Sequence, residues 1–194
     1  SYSIGQLHSQ TNGFRANNDV NVDLITGFVQ ANLLPNLSVQ AEIRHKELER
    51  GDYDLRADGN FFNDLRLKTN RNTYRGGLHY TLEQGSDIIA SYVHLDAENN
   101  FQLPSAGTLS DPASIYGNQG EIQHLFTKEN FKVVSGLNVA QSVYTENFTF
   151  LEDGKVKTDP VNSNLYHYNG YIYTYTHFPK DFDWTLGVSV DSVD

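Results

Sequence analysis

The side chains best suited to chemistry here are histidines and carboxylates, and their spacing argues against most sites they could build. The chain has 7 histidines, at positions 8, 45, 79, 94, 124, 167 and 177, dispersed over separate strand-like segments. No HxH, HExxH or Cys/His pair occurs, so the ligand spacing of a zinc centre is missing. Cysteine is absent, which excludes a disulfide framework, a thiolate metal site and a cysteine nucleophile. The segment 47–58 carries Glu47, Glu49, Asp52, Asp54 and Asp58. Asp52-x-Asp54 matches part of a calcium loop, but the glycine and terminal glutamate that complete one are missing at the required positions. A solvated acidic loop is the expectation there. No GxSxG or glycine-rich phosphate loop is found, and Gly76-Gly77 falls inside a strand-like run, where it marks curvature or close packing. The expectation is no enzyme, no catalytic residue, no metal and no cofactor.

The elements that position these residues read as strands. In Leu37–His45 one parity carries Leu37, Val39, Ala41 and Ile43, the other Ser38, Gln40, Glu42 and Arg44. In 182–190 Phe182, Trp184, Leu186, Val188 and Val190 alternate with Asp183, Thr185, Gly187 and Ser189. Period-two patterning over about nine residues is a half-buried strand, and nine residues is also the length a tilted strand needs to cross a bilayer. The reading gives about nine strands, at 2–9, 24–33, 37–46, 73–82, 87–96, 119–127, 130–143, 165–178 and 182–192. In 88–95 and 166–178 apolar residues occupy both parities, and the faces stay unassigned.

Connections alternate between tight turns (33–38, 82–87, 126–131, 178–183) and long polar stretches (47–73, 97–118, 145–164). An antiparallel meander with short turns at one end and long loops at the other is the pattern of a transmembrane β-barrel. The fold expected is all-β: an up-and-down meander of about eight to ten strands, with residues 1–194 forming one barrel segment and no second domain. Leu33, Leu34, Leu37, Tyr80, Leu82, Phe126, Phe131, Phe178 and Phe182 flank the tight turns, where an interfacial girdle sits. The odd strand count, a last strand that leaves a tight turn, and a final segment without a terminal aromatic lead to a further expectation. The chain is an incomplete portion of a larger barrel, in which 2–9 and 182–192 do not pair with each other.

Composition narrows the function. A mean hydropathy of −0.52 and the absence of a long apolar run exclude membrane helices, but not a barrel, whose lipid face uses every second residue. A net charge of −10 disfavours nucleic acid, whose binding needs a basic stripe. The polar parity supplies the candidate site: Glu42, Arg44, Arg75, His79, Glu121, Gln123, Lys132 and Asp183 are expected to face a lumen. These set solute selectivity or form structural networks. A soluble extracellular β-sheet binding module, of adhesin or carbohydrate-binding type, is the alternative.

The runs YRGGLHYTLEQGSDIIASYVHLDAE (74–98), GEIQHLFTKENFKVVSGLNVA (120–140) and YIYTYTHFPKDFDWTLGVSVD (171–191) resemble consecutive hairpins of large Gram-negative outer-membrane barrels. The likeness is to TonB-dependent-receptor-like barrels, including those found downstream of tetratricopeptide repeats. It implies a channel or receptor scaffold in the cell outer membrane, with outer-membrane lipid, the remainder of the barrel or associated chains, and an unknown solute as partners. Neither a plug domain nor a TonB-contact motif is visible in the residues.

Overall fold

The computed structural model describes residues 1–53, 61–177, 179 and 182–194. They form nine strands: β1 (Tyr2–Thr11), β2 (Val20–Leu34), β3 (Leu37–Arg50), β4 (Arg66–Glu83), β5 (Ser86–Leu103), β6 (Thr108–Lys128), β7 (Phe131–Glu152), β8 (Lys155–His177) and β9 (Asp183–Val193). All neighbours are antiparallel and the order in the sheet is the order in the sequence, β1 to β9. Among the described residues β1 and β9 do not pair, so the sheet is open, as expected. The only helix described is a short 3-10 turn, Pro104–Ala106.

The strands run well past the expected ends, and this corrects the loop assignment. Residues 97–103 and 108–118 are strand, closed by the 3-10 turn and Gly107 at φ 85°. Residues 145–152 and 155–164 are also strand, joined by Asp153-Gly154 with φ of 52° and 72°. Positive φ at both central residues is the tight hairpin turn that an Asp-Gly pair favours. The physical reason for the missed strands is solvent. Outside a bilayer both faces of a hairpin can be wet, so parity loses its apolar contrast while the backbone ladder stays intact. Of the third stretch, 47–73, residues 47–50 and 66–73 are strand, and the described residues between them, 51–53 and 61–65, are not.

Register fixes the faces, because residues directly opposite in an antiparallel pair share a face. One continuous row reads Val39, Leu78, Ala90, Ile122, Leu137, Gly170 and Val190. Ile43, Val133 and Leu186 share this face with Leu78, as period two requires. The unassigned segments now resolve. Ile88, Ala90 and Tyr92 join the apolar face and Ile89, Ser91 and Val93 the other, while in β8 Tyr168, Ile172 and Thr174 oppose Tyr171, Tyr173 and Tyr175. Their ambiguity came from apolar residues on the second face, which is not wholly polar.

The apolar face is the exposed one. Ile122, Leu137, Val139, Ile172 and Val188 are 49%, 63%, 48%, 50% and 66% exposed, whereas Ala97 and Ala113 on the other face are 1% and 9% exposed. The sheet is therefore curved with its apolar side convex. The few buried apolar residues, Leu65, Ala97, Leu103 and Ala113, sit at the end away from the short turns.

Candidate functional site: the inner wall and its mouth

Every candidate lumen residue lies on the concave face. Glu42, Arg44, Arg75 and His79 come from β3 and β4, Glu121 and Gln123 from β6, Lys132 from β7 and Asp183 from β9. They form separate clusters along the wall. Glu42 lies 3.1 Å from the Arg44 guanidinium and 3.7 Å from that of Arg75, so one carboxylate serves two cations. Glu121 accepts hydrogen bonds from the Tyr171 hydroxyl at 2.6 Å and the Gln123 amide at 2.8 Å. His79 meets Asp87 at 2.8 Å, and Thr81 donates to the same carboxylate at 2.7 Å. Asp183 meets His177 at 2.7 Å. Lys132 enters none of the ion pairs found among the described residues.

The Tyr171–Glu121 bond spans from β8 to β6 over β7, a reach that requires side chains to converge, as they do inside a curved wall. Glycine makes the crossing possible. A Cβ at Gly136 would sit 2.5 Å from the Tyr171 ring carbon and hydroxyl, so the ring lies flat in the space a side chain would take. Gly187 gives Tyr173 the same bed. Sequence reasoning missed Asp87, His177, Tyr171 and Tyr173. The signal was the parity of the β8 tyrosines opposite glycine, and it needs the register to be read.

The histidines spread over β1, β3, β4, β5, β6 and β8, and β8 carries both His167 and His177. Most are bonded to a neighbour across a strand pair: His8 to Asp23 at 2.7 Å, His167 to Asp191 at 3.1 Å, His45 to Asn72 at 2.7 Å. Among the described residues no group of three or more His, Asp or Glu could hold a metal ion.

On the convex face, rings border the apolar band. Tyr80, Phe126, Phe131 and Trp184 lie toward the short turns, beside Leu37, with Phe126 and Phe131 5.7 Å apart. Phe178 falls outside the described residues. On the far side His94 packs between Tyr74 and Tyr116, at 5.9 and 4.8 Å. From Phe131 to Gln141 along β7 is roughly 33 Å of strand, or about 23 Å of depth at a 45° tilt, close to the apolar band of a membrane barrel. β7 has 22 residues, so about half of it stands clear of that band.

At the far end the β1–β2 and β3–β4 connections pack together. Asp52 is fully buried, which corrects its expected place in a solvated loop; Asp54 and Asp58 lie outside the described residues. Its carboxylate accepts the Phe62 N–H at 2.8 Å and lies 3.7 Å from Arg15. Arg15 in turn stacks over Phe61 at 3.8 Å. Asn17 donates to the carbonyls of Phe62 and Leu65, and Asn18 to that of Asp52. Asp64 accepts the hydroxyl and N–H of Ser105, tying this cap to the β5–β6 tip. The Ser105 hydroxyl holds the Asp64 carboxyl below the usual carboxylate range.

By sequence, no family model and no curated protein matches the chain. By structure it is similar to the copper transporter OprC, with a TM-score of 0.79 at 8% identity, over 99% of this chain and 32% of that one. It is also similar to the ferric-catecholate import receptor Fiu from Escherichia coli K12 in its open form (TM-score 0.74, 9% identity, 99% and 40% covered). A third is the siderophore receptor PiuA from Acinetobacter baumannii (0.63, 8%, 99% and 42%). The chain thus spans less than half the length of each of these proteins. At such identities the likeness concerns the fold alone, and the fold is an antiparallel up-and-down sheet that matches part of the barrel of these proteins.

Proposed function

We propose that these strands form part of the wall of an outer-membrane receptor or channel, with the convex face in lipid and the concave face along the path of a solute. One observation carries the reading: most of the exposed large apolar side chains of the sheet, Leu137, Ile172, Leu186, Val188 and Val190 among them, fall in one band on one face, between two rows of aromatic rings. In water such a band would drive aggregation; in lipid it is the surface that barrels present. The open edges at β1 and β9 support pairing with further strands, since unpaired backbone groups are very costly in hydrocarbon. The strand extensions of β5–β8 and the cap around Asp52 would stand outside the membrane and meet solute or partner. Solute selection would fall to the polar clusters of the inner wall, by size and charge.

The test is fractionation of the intact protein that carries these strands. Recovery in the outer-membrane pellet, with a band that shifts on heating in detergent, is expected. Recovery as a soluble monomer without detergent would overturn the proposal in favour of an extracellular binding module.

A further inference from the structure

We propose that the upper inner wall of β3 and β4 is a binding site for a small oxyanion, a solute bearing carboxylate or phosphate groups. The inference rests on the wall reading and adds the charge of the solute. The register sets Lys46 of β3 directly opposite Arg71 of β4 on the concave face. Like charges facing each other across a strand pair are destabilising. Neither residue enters an ion pair among the described residues, and the residues beside them in the same row are Leu24 on β2 and Ala97 on β5. Just below in the same two strands are Arg44 and Arg75, with Glu42 as their shared carboxylate. Four cations and one carboxylate therefore line this stretch of wall in a chain whose net charge is −10.

The excess is a matter of placement. Along β3 Lys46 and Leu48 lie inward and Glu47 and Glu49 outward, and Asp23, Glu98 and the Lys68–Glu49 pair also lie on the outward face. A wall that needed only solvation could mix the signs on each face, as Lys68 and Glu49 do outside. Lys46 and Arg71 are left as inward donors outside every ion pair found among the described residues, and an oxyanion would satisfy them by charge-assisted hydrogen bonds. The pair stands about 10 Å along the strand above Tyr74, the ring that marks the far edge of the apolar band. It thus lies at the mouth of the lumen, where a cationic ring steers anions inward.

The test uses the intact protein in detergent, with citrate and inorganic phosphate as anionic probes and choline as the cationic one. Expected are calorimetric binding of citrate or phosphate that weakens with salt, no binding of choline, and a rise in melting temperature with the anion. In K46Q/R71Q the anion affinity should fall about tenfold, the scale of one lost charge-assisted hydrogen bond. K68Q, which removes an outward lysine of the same strand, should leave it unchanged. If the double variant fails to reach the membrane, K46Q and R71Q singly carry the test. Equal anion affinity in the variants overturns the site. So does a membrane-inserted protein that binds neither anion, including one whose melting temperature rises in K46Q/R71Q while citrate has no effect on the wild type. A protein that is not membrane-inserted refutes the wall reading instead, which keeps the two failures apart.

Discussion

Gly136 carries a consequence out of proportion to its size. Adding a β-branched side chain there drives into the Tyr171 ring and toward the Ile122 carbonyl, 3.0 Å from an added Cβ. Gly136→Val should cost about 1–3 kcal/mol by overpacking and should detach Tyr171 from Glu121. Gly120→Ala, which meets nothing within 4 Å, is the matched control. Urea unfolding of the membrane-extracted protein should show a lower midpoint for the first variant and little change for the second. Asp52 makes a second residue-scale prediction. Removing a fully buried carboxylate takes the Asp52 partner from Arg15 and the Asp52 acceptor from the Phe62 N–H. Asp52→Ala should therefore lower local stability by about 3–5 kcal/mol, read as faster amide exchange across residues 61–66. At this scale the sequence exposed one property well. Parity alone placed Glu42, Arg44, Arg75, His79, Glu121, Gln123, Lys132 and Asp183 on one face, and the register agrees. It could not show which of them touch, because Tyr171 meets Glu121 from 50 residues away.

At the scale of elements, the strand extensions and the cap set the behaviour of the outer end. The Asp64–Ser105 contact joins the β3–β4 connection to the β5–β6 tip, and its dependence on pH has a definite sign. The carboxyl is held below its ordinary value of 3.8, so the contact contributes fully above that value and is lost as pH falls through the lowered one. Amide exchange at Ser105 should be constant from neutral pH to about 5, after correction for intrinsic rates, and should accelerate relative to Leu95 below about 4. Asp64→Asn should remove that transition. The same elements show why sequence reading stopped short. Segments 37–45 and 182–190 alternate because one face of the sheet is apolar and the other polar there, and their strands were legible. Segments 97–103 and 145–152 carry polar residues on both parities, so only turn chemistry could have marked their hairpins. For the β7–β8 extension that mark was present, in Asp153-Gly154.

For the whole molecule the open sheet, its curvature and its two unlike faces belong to one argument. A sheet with Leu137 63% exposed on one face, in a row of exposed apolar residues, and Ala97 1% exposed on the other departs from the usual order of a water-soluble protein. Depth along a single strand therefore becomes a measurable coordinate. Leu137 lies in the middle of the apolar band on β7, and Asn147, on the same face, lies beyond its polar edge at Gln141. Leu137→Arg should destabilise the membrane-inserted protein by about 2–4 kcal/mol, the cost of arginine near the bilayer midplane, whereas Asn147→Arg should cost about 0–1 kcal/mol. Unfolding of the intact protein from lipid vesicles of defined thickness measures both. Because the cost at Leu137 comes from hydrocarbon, it should shrink when the vesicles are replaced by a detergent whose loose micelle lets water reach the guanidinium. Equal costs at the two depths would mean that the apolar face meets protein or water instead of lipid, and the placement of this sheet in a membrane would fail with it.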